Sequence, residues 1–409
     1  MPITSEHGTS LPESEATTSA QTTAAEELQT GPVVSISFAH AMNDTYVSFL
    51  APLLPALIAK LALSKTEAGL LAFLQSSPSV LQPFIGHLAD RVNLRYFVIL
   101  SPAVVATMMS LVGVAPRYLV LALVVMVAGL SSAGLHAVAP AMVGRLSGRR
   151  LGRGMGVWMV GGTLGFTVGP IMVVTAVNFL TLEGTPYLMV GGWLASAILF
   201  MRLRRVSARP STAVERAGWR EGLQALRPLL VPLVGIIVMR ALLVSATFIF
   251  LPIFLTERGA DLWLAGASVS IVAGAGIVGS LLGGSMSDRL GRRLVLFISV
   301  LTAPVLIFVL LEVNGWAQLA VLILLGVAMP SSHVILMALV QENCPDNRAL
   351  ATGIFLSLAF ISESAGAVVV GALGDLFGLP LAFATSAVIP LLSLPLVFLL
   401  PARPWRGLE

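Results

Sequence analysis

Residues 129–170 read GLSSAGLHAVAPAMVGRLSGRRLGRGMGVWMVGGTLGFTVGP, two helix-length apolar segments joined by a hinge that carries Arg145, Arg149, Arg150 and Arg153. The first segment holds an ionisable residue, His136, among apolar neighbours. The second holds Gly161, Gly162, Gly165 and Gly169 ahead of Pro170. Small residues let helix backbones approach closely in a bilayer. Proline removes a backbone donor, so the same helix can bend. An ionisable group beside a tightly packed, bendable helix points to a membrane protein that moves and handles a polar cargo.

Composition agrees with that reading. The chain is 56% hydrophobic and 11% charged, against about 25% charged in a soluble domain. Apolar runs long enough to cross the hydrocarbon core recur along the whole length. The net charge of +4 comes from arginines between spans rather than on one face, which argues against nucleic acid as a partner. Cys344 is the single cysteine, so neither a disulfide framework nor a cysteine-based metal site is available. Residues 1–31 are rich in Ser, Thr and Glu and read as a disordered tail without a cleavable signal.

Twelve spans are predicted, near 33–59, 66–89, 96–114, 118–142, 154–178 and 187–201, then 229–255, 262–286, 294–312, 315–340, 350–373 and 380–401. The fold class is therefore all-α membrane protein, with twelve helices in two pseudo-symmetric six-helix bundles at 32–204 and 228–402. The arginine-rich segment 205–227 is read as a linker, with a short surface helix around Val214–Leu226, and 403–409 as a second tail. With the N-terminus inside, every Lys and Arg is cytoplasmic except Lys60, Lys65, Arg117 and Arg258 outside and Arg240 within a span. That places both termini in the cytoplasm. The halves also repeat at an offset of 197 residues: Pro55 meets Pro252, Gly69 meets Gly266, Gly129 meets Gly326, His136 meets His333 and Gly169 meets Gly366. Parallel six-helix repeats with a cargo site between them are a transporter plan.

The loops after spans 2 and 8 carry a second signature. The first reads GHLADR, ending in Asp90 and Arg91; the second reads GSMSDRLGRR, containing Asp288 and Arg289. An aspartate at a helix end can pair with nearby arginines and face a neighbouring helix N-terminus, and so latch one conformation. Arg145 on the hinge is a further candidate for the gate. These loops resemble the G-x-x-x-D-R-x-G-R-R signature of the Major Facilitator Superfamily, complete in the second half, while Val92-Asn93-Leu94-Arg95 departs from it in the first. Residues 161–170 resemble the span-5 glycine–proline signature of that superfamily's proton-coupled antiporters, with Gly161, Gly165, Gly169 and Pro170 as its gating positions. His40-x-x-Asn43-Asp44 and the block from Ser131 to Pro170 look like the fosmidomycin-resistance branch of exporters. Leu135-His136-Ala137-Val138 departs from that branch's usual Phe-His-Pro and following acidic residue.

Ionisable groups inside spans cost roughly 2.5–3.5 kcal/mol each at mid-helix, and so need a reason. They are His40, Asp44, His136, Arg240, His333 and Glu363, on spans 1, 4, 7, 10 and 11. All sit near the midplane by helical rise. Spans 3, 6, 9 and 12 carry none, as lipid-facing helices would. His40 and Asp44 are one turn apart on one face, and a carboxylate in a low-dielectric cavity can load and release protons near neutrality. Proton coupling is thus assigned to Asp44, His40 and Glu363. Substrate contact is assigned to Asn43, Tyr46, Gln75, Gln82, His136, Arg240 and His333, with Ser79 and Trp158 as further lining. Arg240 stays protonated and can pair with Asp44 across the cavity or with an anionic cargo. A fixed interhelical ion pair, or histidines that only bond across helices, are the bland readings of the same residues.

The resemblance implies a secondary transporter of the bacterial inner membrane, expected to be monomeric, exporting a small polar or anionic organic compound or drug in exchange for protons. An importing symporter or uniporter for a metabolite such as an organic acid is the alternative. No paired acidic metal motif, nucleophile elbow or nucleotide loop is found, so neither enzyme chemistry, a metal site nor a cofactor beyond the proton gradient is expected.

Overall fold

The computed structural model describes residues 28–89, 92–206, 219–344 and 348–401; Asp90, Arg91 and residues 207–218 of the linker lie outside them. All regular structure among the described residues is helical, without strands. Among the described residues, eleven helices are long and apolar enough to cross a membrane. They are span 1 (Thr30–Leu61), span 3 (Arg95–Val114), span 4 (Tyr118–Leu146), span 5 (Gly152–Leu180) and span 6 (Leu182–Leu203), then span 7 (Leu229–Glu257), span 8 (Leu262–Leu290), span 9 (Arg292–Glu312), span 10 (Gly315–Asn343), span 11 (Ala351–Phe377) and span 12 (Leu379–Leu399). Span 2 is the twelfth, built from Lys65–Ser76, a tight turn at Ser77–Leu81 and Gln82–Ala89. Pro78 and Pro83 each remove a ladder donor, which is why this span breaks.

Prolines break the two leading spans in the same place. In span 1 the helix is interrupted at Ser48–Phe49, four residues before Pro52. In span 7 a π-helical turn at Ala246–Phe250 precedes Pro252. Each proline leaves the carbonyl four residues back without its donor, so the ladder slips there. The linker differs from expectation at its end: the helix of span 7 starts at Trp219 and runs without interruption into the membrane. The surface helix expected around 214–226 is therefore, from Trp219 on, an extension of that span, because good helix formers continue up to it.

The way the apolar core divides sets the conformation. On the side opposite Thr30 and Leu399, the far side, one buried cluster joins the halves, with Leu54, Leu57 and Leu71 beside Phe254, Val370 and Phe383. On the near side it splits in two, one cluster around Ile36, Leu135 and Leu199 and another around Ile236, Leu336 and Phe355. The halves are thus closed on the far side and hold separate cores on the near side.

Far-side closure is backbone-close. A Cβ on Gly69 of span 2 would collide with the Ala367 carbonyl of span 11, and one on Gly371 with the Lys65 carbonyl. The Asp375 carboxylate of span 11 accepts from the Lys65 and Thr66 amides, both at 2.8 Å, and from Thr66 Oγ1. An anion thereby sits on the N-terminus of span 2, where the helix dipole favours it. Lys65 Nζ reaches Glu257 at the end of span 7, 2.9 Å away. Across the other seam, the Ile171 amide just after Pro170 donates to Ser270 Oγ of span 8, and Trp263 Nε1 donates to Thr175 Oγ1.

Candidate functional site

Span 5 lies against span 1 in a four-residue register. Cβ atoms on Gly161, Gly165 and Gly169 would strike the carbonyls of Ser37, Ala41 and Thr45 respectively. The glycines therefore permit a helix contact that any side chain would pry apart. Between them, a Cβ on Gly162 would meet the His40 ring and Asp44 Oδ2. The glycine face of span 5 is the wall against which the polar face of span 1 is set.

On that face three predicted residues converge. His40 Nε2 lies 3.1 Å from Asp44 Oδ2, and His136 Nε2 of span 4 lies 3.7 Å from Asp44 Oδ1. The two imidazole Nε2 atoms are 3.1 Å apart. Each ring is anchored by its other nitrogen: His40 Nδ1 donates to the Trp158 carbonyl and His136 Nδ1 to the Ser132 carbonyl, both at 2.9 Å. Trp158 also stacks on His40, with centroids 3.7 Å apart and planes within 14°. Asn43 Nδ2 donates to Asp44 Oδ1 and to Ser132 Oγ, and Ser101 Oγ of span 3 donates to Asn43 Oδ1. Asp44 is 4% exposed and Asn43 fully buried. Burial of Asn43 is tolerable because both ends of its amide are hydrogen-bonded.

The second half builds a different cluster at matching positions. Arg240 Nη2 donates to His333 Nδ1 at 3.2 Å and to Glu363 Oε1 at 3.4 Å. Ser245 Oγ ties the two spans by donating to the Glu363 carbonyl. Arg240 also borders a small cleft with Ser299, Ser332 and Ser393. Asp44 and Arg240 are not joined: among the described residues, the ion pairs of each stay within its own half. Asp44 has titratable imidazoles for partners, while Arg240 already has Glu363.

Other predicted residues lie elsewhere. The Tyr46 hydroxyl donates to the Leu188 carbonyl at 2.7 Å, turned toward span 6 and away from His40. Gln75 donates to the Val47 carbonyl at the break of span 1. Gln82 and Ser79 are half-buried around the turn of span 2. Near the second signature loop, Arg292 Nη2 bridges Asp288 and Glu342, both at 2.6 Å, fastening span 8 to the end of span 10. Arg289 is exposed, and Arg145 closes span 4 on the same side as Arg292. Sequence reasoning missed Ser101, Ser132, Glu342 and Asp375. Of these only Asp375 left a trace, as an acidic residue at a helix end facing no arginine in its own loop.

Comparison with known proteins gives the same picture. The chain is 26% identical over 390 residues to an uncharacterized MFS-type transporter, YfnC, of Bacillus subtilis, covering 92% of this chain and 95% of the relative. It is 23% identical over 381 residues to the fosmidomycin resistance protein of Escherichia coli, covering 90% and 92% respectively. Among solved structures, a bacterial homolog of the human lysosomal transporter Spinster, in its inward-facing and unoccupied conformation, superposes with a TM-score of 0.77 at 16% identity, over 90% of this chain and 96% of that one. The family model of the Major Facilitator Superfamily matches residues 36–355 and 275–408, and the chain belongs to that superfamily of membrane transporters.

Proposed function

We propose that this transporter exports a small polar or anionic organic compound in exchange for protons, by alternating access, as a monomer in the bacterial inner membrane with both termini cytoplasmic. The observation that carries the reading is the partner set of Asp44: among the described residues, this buried carboxylate pairs with two imidazoles and with no permanent cation. Adding or removing one proton changes the charge of that cluster outright. Arg240, by contrast, is a permanent cation whose carboxylate partner, Glu363, is one an anionic cargo could replace. Similarity to the fosmidomycin resistance protein favours export. Closure on the far side, with separate cores on the near side, is the arrangement from which an exporter would load from the cytoplasm.

The test is flux in proteoliposomes under an imposed pH gradient. An acidic lumen should drive substrate accumulation, because protons leaving would exchange for substrate entering. Accumulation driven only by an acidic exterior would replace antiport with symport.

A further inference from the structure

We propose that His40, Asp44 and His136 form a binding site for a late first-row divalent cation such as Zn²⁺ or Co²⁺, with an open fourth position on the exposed side of His136. The argument starts from the tautomers. A backbone carbonyl can only accept, so the bonds to Trp158 and Ser132 put the ring proton of both histidines on Nδ1. Both Nε2 atoms then present lone pairs, 3.1 Å apart, with a carboxylate at 3.1 and 3.7 Å from them. Lone pairs at that distance repel unless a positive centre lies among them.

The dimensions suit a metal. A tetrahedral Zn²⁺ with bonds of about 2.0–2.1 Å spans ligand–ligand edges of about 3.3–3.4 Å. Here the two Nε2 atoms are 3.1 Å apart, and the carboxylate turns a different oxygen to each ring, Oδ2 at 3.1 Å from His40 and Oδ1 at 3.7 Å from His136, so a small rotation of Asp44 would bring one oxygen to both. Two imidazoles and one carboxylate suit Zn²⁺, Co²⁺ or Ni²⁺ and disfavour Mg²⁺ or Ca²⁺, which take all-oxygen shells. The surroundings also fit: metal-bound histidines usually donate their second N–H to a carbonyl or carboxylate, as both do here. Asn43 Nδ2 fixes the carboxylate in turn. Access is one-sided, since the His136 side chain is 25% exposed against 7% and 5% for His40 and Asp44. The vacant vertex on that side would take water or a donor atom of cargo. Among the described residues this is the one group of three or more such side chains close enough to hold an ion.

The site uses the residues of the proposed proton cluster, so the test reads metal binding directly and does not read transport. Full-length protein without an affinity tag is titrated with Co²⁺ in detergent, following the visible bands of tetrahedral cobalt, and with Zn²⁺ by calorimetry. The expected result is one equivalent bound with tetrahedral bands, and at least about tenfold weaker binding in His136→Ala. His136→Gln, closer in size, should show the same loss and guards against a folding defect in the first variant. Wild-type protein without tetrahedral bands, or unchanged affinity in both variants while they remain monodisperse, would overturn the site.

Discussion

The two halves place their polar groups at the same depths and equip them differently. Asn43 and Arg240 are pseudo-equivalent, as are His136 and His333, yet the carboxylate sits on span 1 in the first half and on span 11 in the second. In the first half the partners of Asp44 are neutral or titratable; in the second, Glu363 faces a guanidinium. One scaffold therefore carries a cluster whose charge can change and a cluster whose charge is held. Breaking that division should have the largest effect. Asp44→Asn is expected to abolish proton-driven accumulation while leaving substrate exchange, since the amide mimics a permanently loaded carboxyl. Glu363→Gln should keep gradient-driven transport and change substrate affinity. Accumulation with wild-type pH dependence in Asp44→Asn, paired with its loss in Glu363→Gln, would move the coupling role to span 11.

Removing the held charge tests the other side of the contrast. Arg240→Asn recreates the residue of the first half but strands Glu363 without its cation. The pair is half-buried, with side chains 12% and 28% exposed, so breaking it from one side should cost less than the about 3–5 kcal/mol of a fully buried pair. Thermal unfolding in detergent should show that loss, and Arg240→Asn with Glu363→Gln should recover most of it. Equal destabilisation in the single and double variants would mean the pair contributes little. The matching change Asn43→Ala breaks hydrogen bonds to Ser101, Ser132 and the Asp44 carboxylate but no ion pair, and should cost about 1–3 kcal/mol.

The glycine contact sharpens the comparison in packing terms. Gly161, Gly162 and Gly165 correspond to Leu358, Ala359 and Ser362 in the second half; only Gly169 keeps its counterpart, Gly366. Each of the three replacements carries a Cβ, so the span 1–span 5 contact can be closer than span 7–span 11 along most of its length. Gly165→Leu should block transport and cost about 1–3 kcal/mol by overpacking against the Ala41 carbonyl. Gly156→Ala, where an added Cβ meets nothing, should leave both unchanged. Normal flux in Gly165→Leu would remove the tight-contact argument.

Much of this could be read from the chain beforehand, and the division between what could and could not is physical. Hydropathy and basic-residue placement yield spans because the bilayer imposes length and polarity on each helix separately. The 197-residue offset survives at glycines and prolines because backbone contacts tolerate so few substitutes: Gly129 and Gly326 meet the carbonyls of Gln75 and Val272, themselves 197 apart. His40, Asp44, His136, Arg240, His333 and Glu363 stood out because charge in hydrocarbon is costly. Their grouping did not. Depth follows from counting residues, but rotation about the helix axis does not, so Asp44 and Arg240 at similar depth looked like partners when each turns into its own half. Ser101 and Ser132 were invisible for a different reason: serines are common in apolar spans, and only assembly shows which ones join the cluster around Asp44.

The smallest predicted effect concerns the two ends of the molecule. Asp375 joins the halves on the far side, whereas Asp288 is fastened through Arg292 to Glu342 within its own half. In the conformation with the far side closed, only the first contributes to closure. Asp375→Asn weakens an anion at the N-terminus of span 2, an interaction of about 1 kcal/mol, and should shift the population toward far-side opening by about fivefold. Asp288→Asn should not shift the equilibrium in that direction; its cost falls when the near side must close, as slower turnover with substrate binding intact. Spin labels at Arg117→Cys and Asn314→Cys, on far-side loops of opposite halves, with Cys344 replaced by serine, would report the distance distribution. A longer-distance population that grows in Asp375→Asn and not in Asp288→Asn supports the assignment. The same growth in both would mean that Asp288 also holds the far side through the packing of its half. Unchanged distances in Asp375→Asn would leave closure to the glycine contacts at Gly69 and Gly371, the Lys65–Glu257 pair and the shared apolar core.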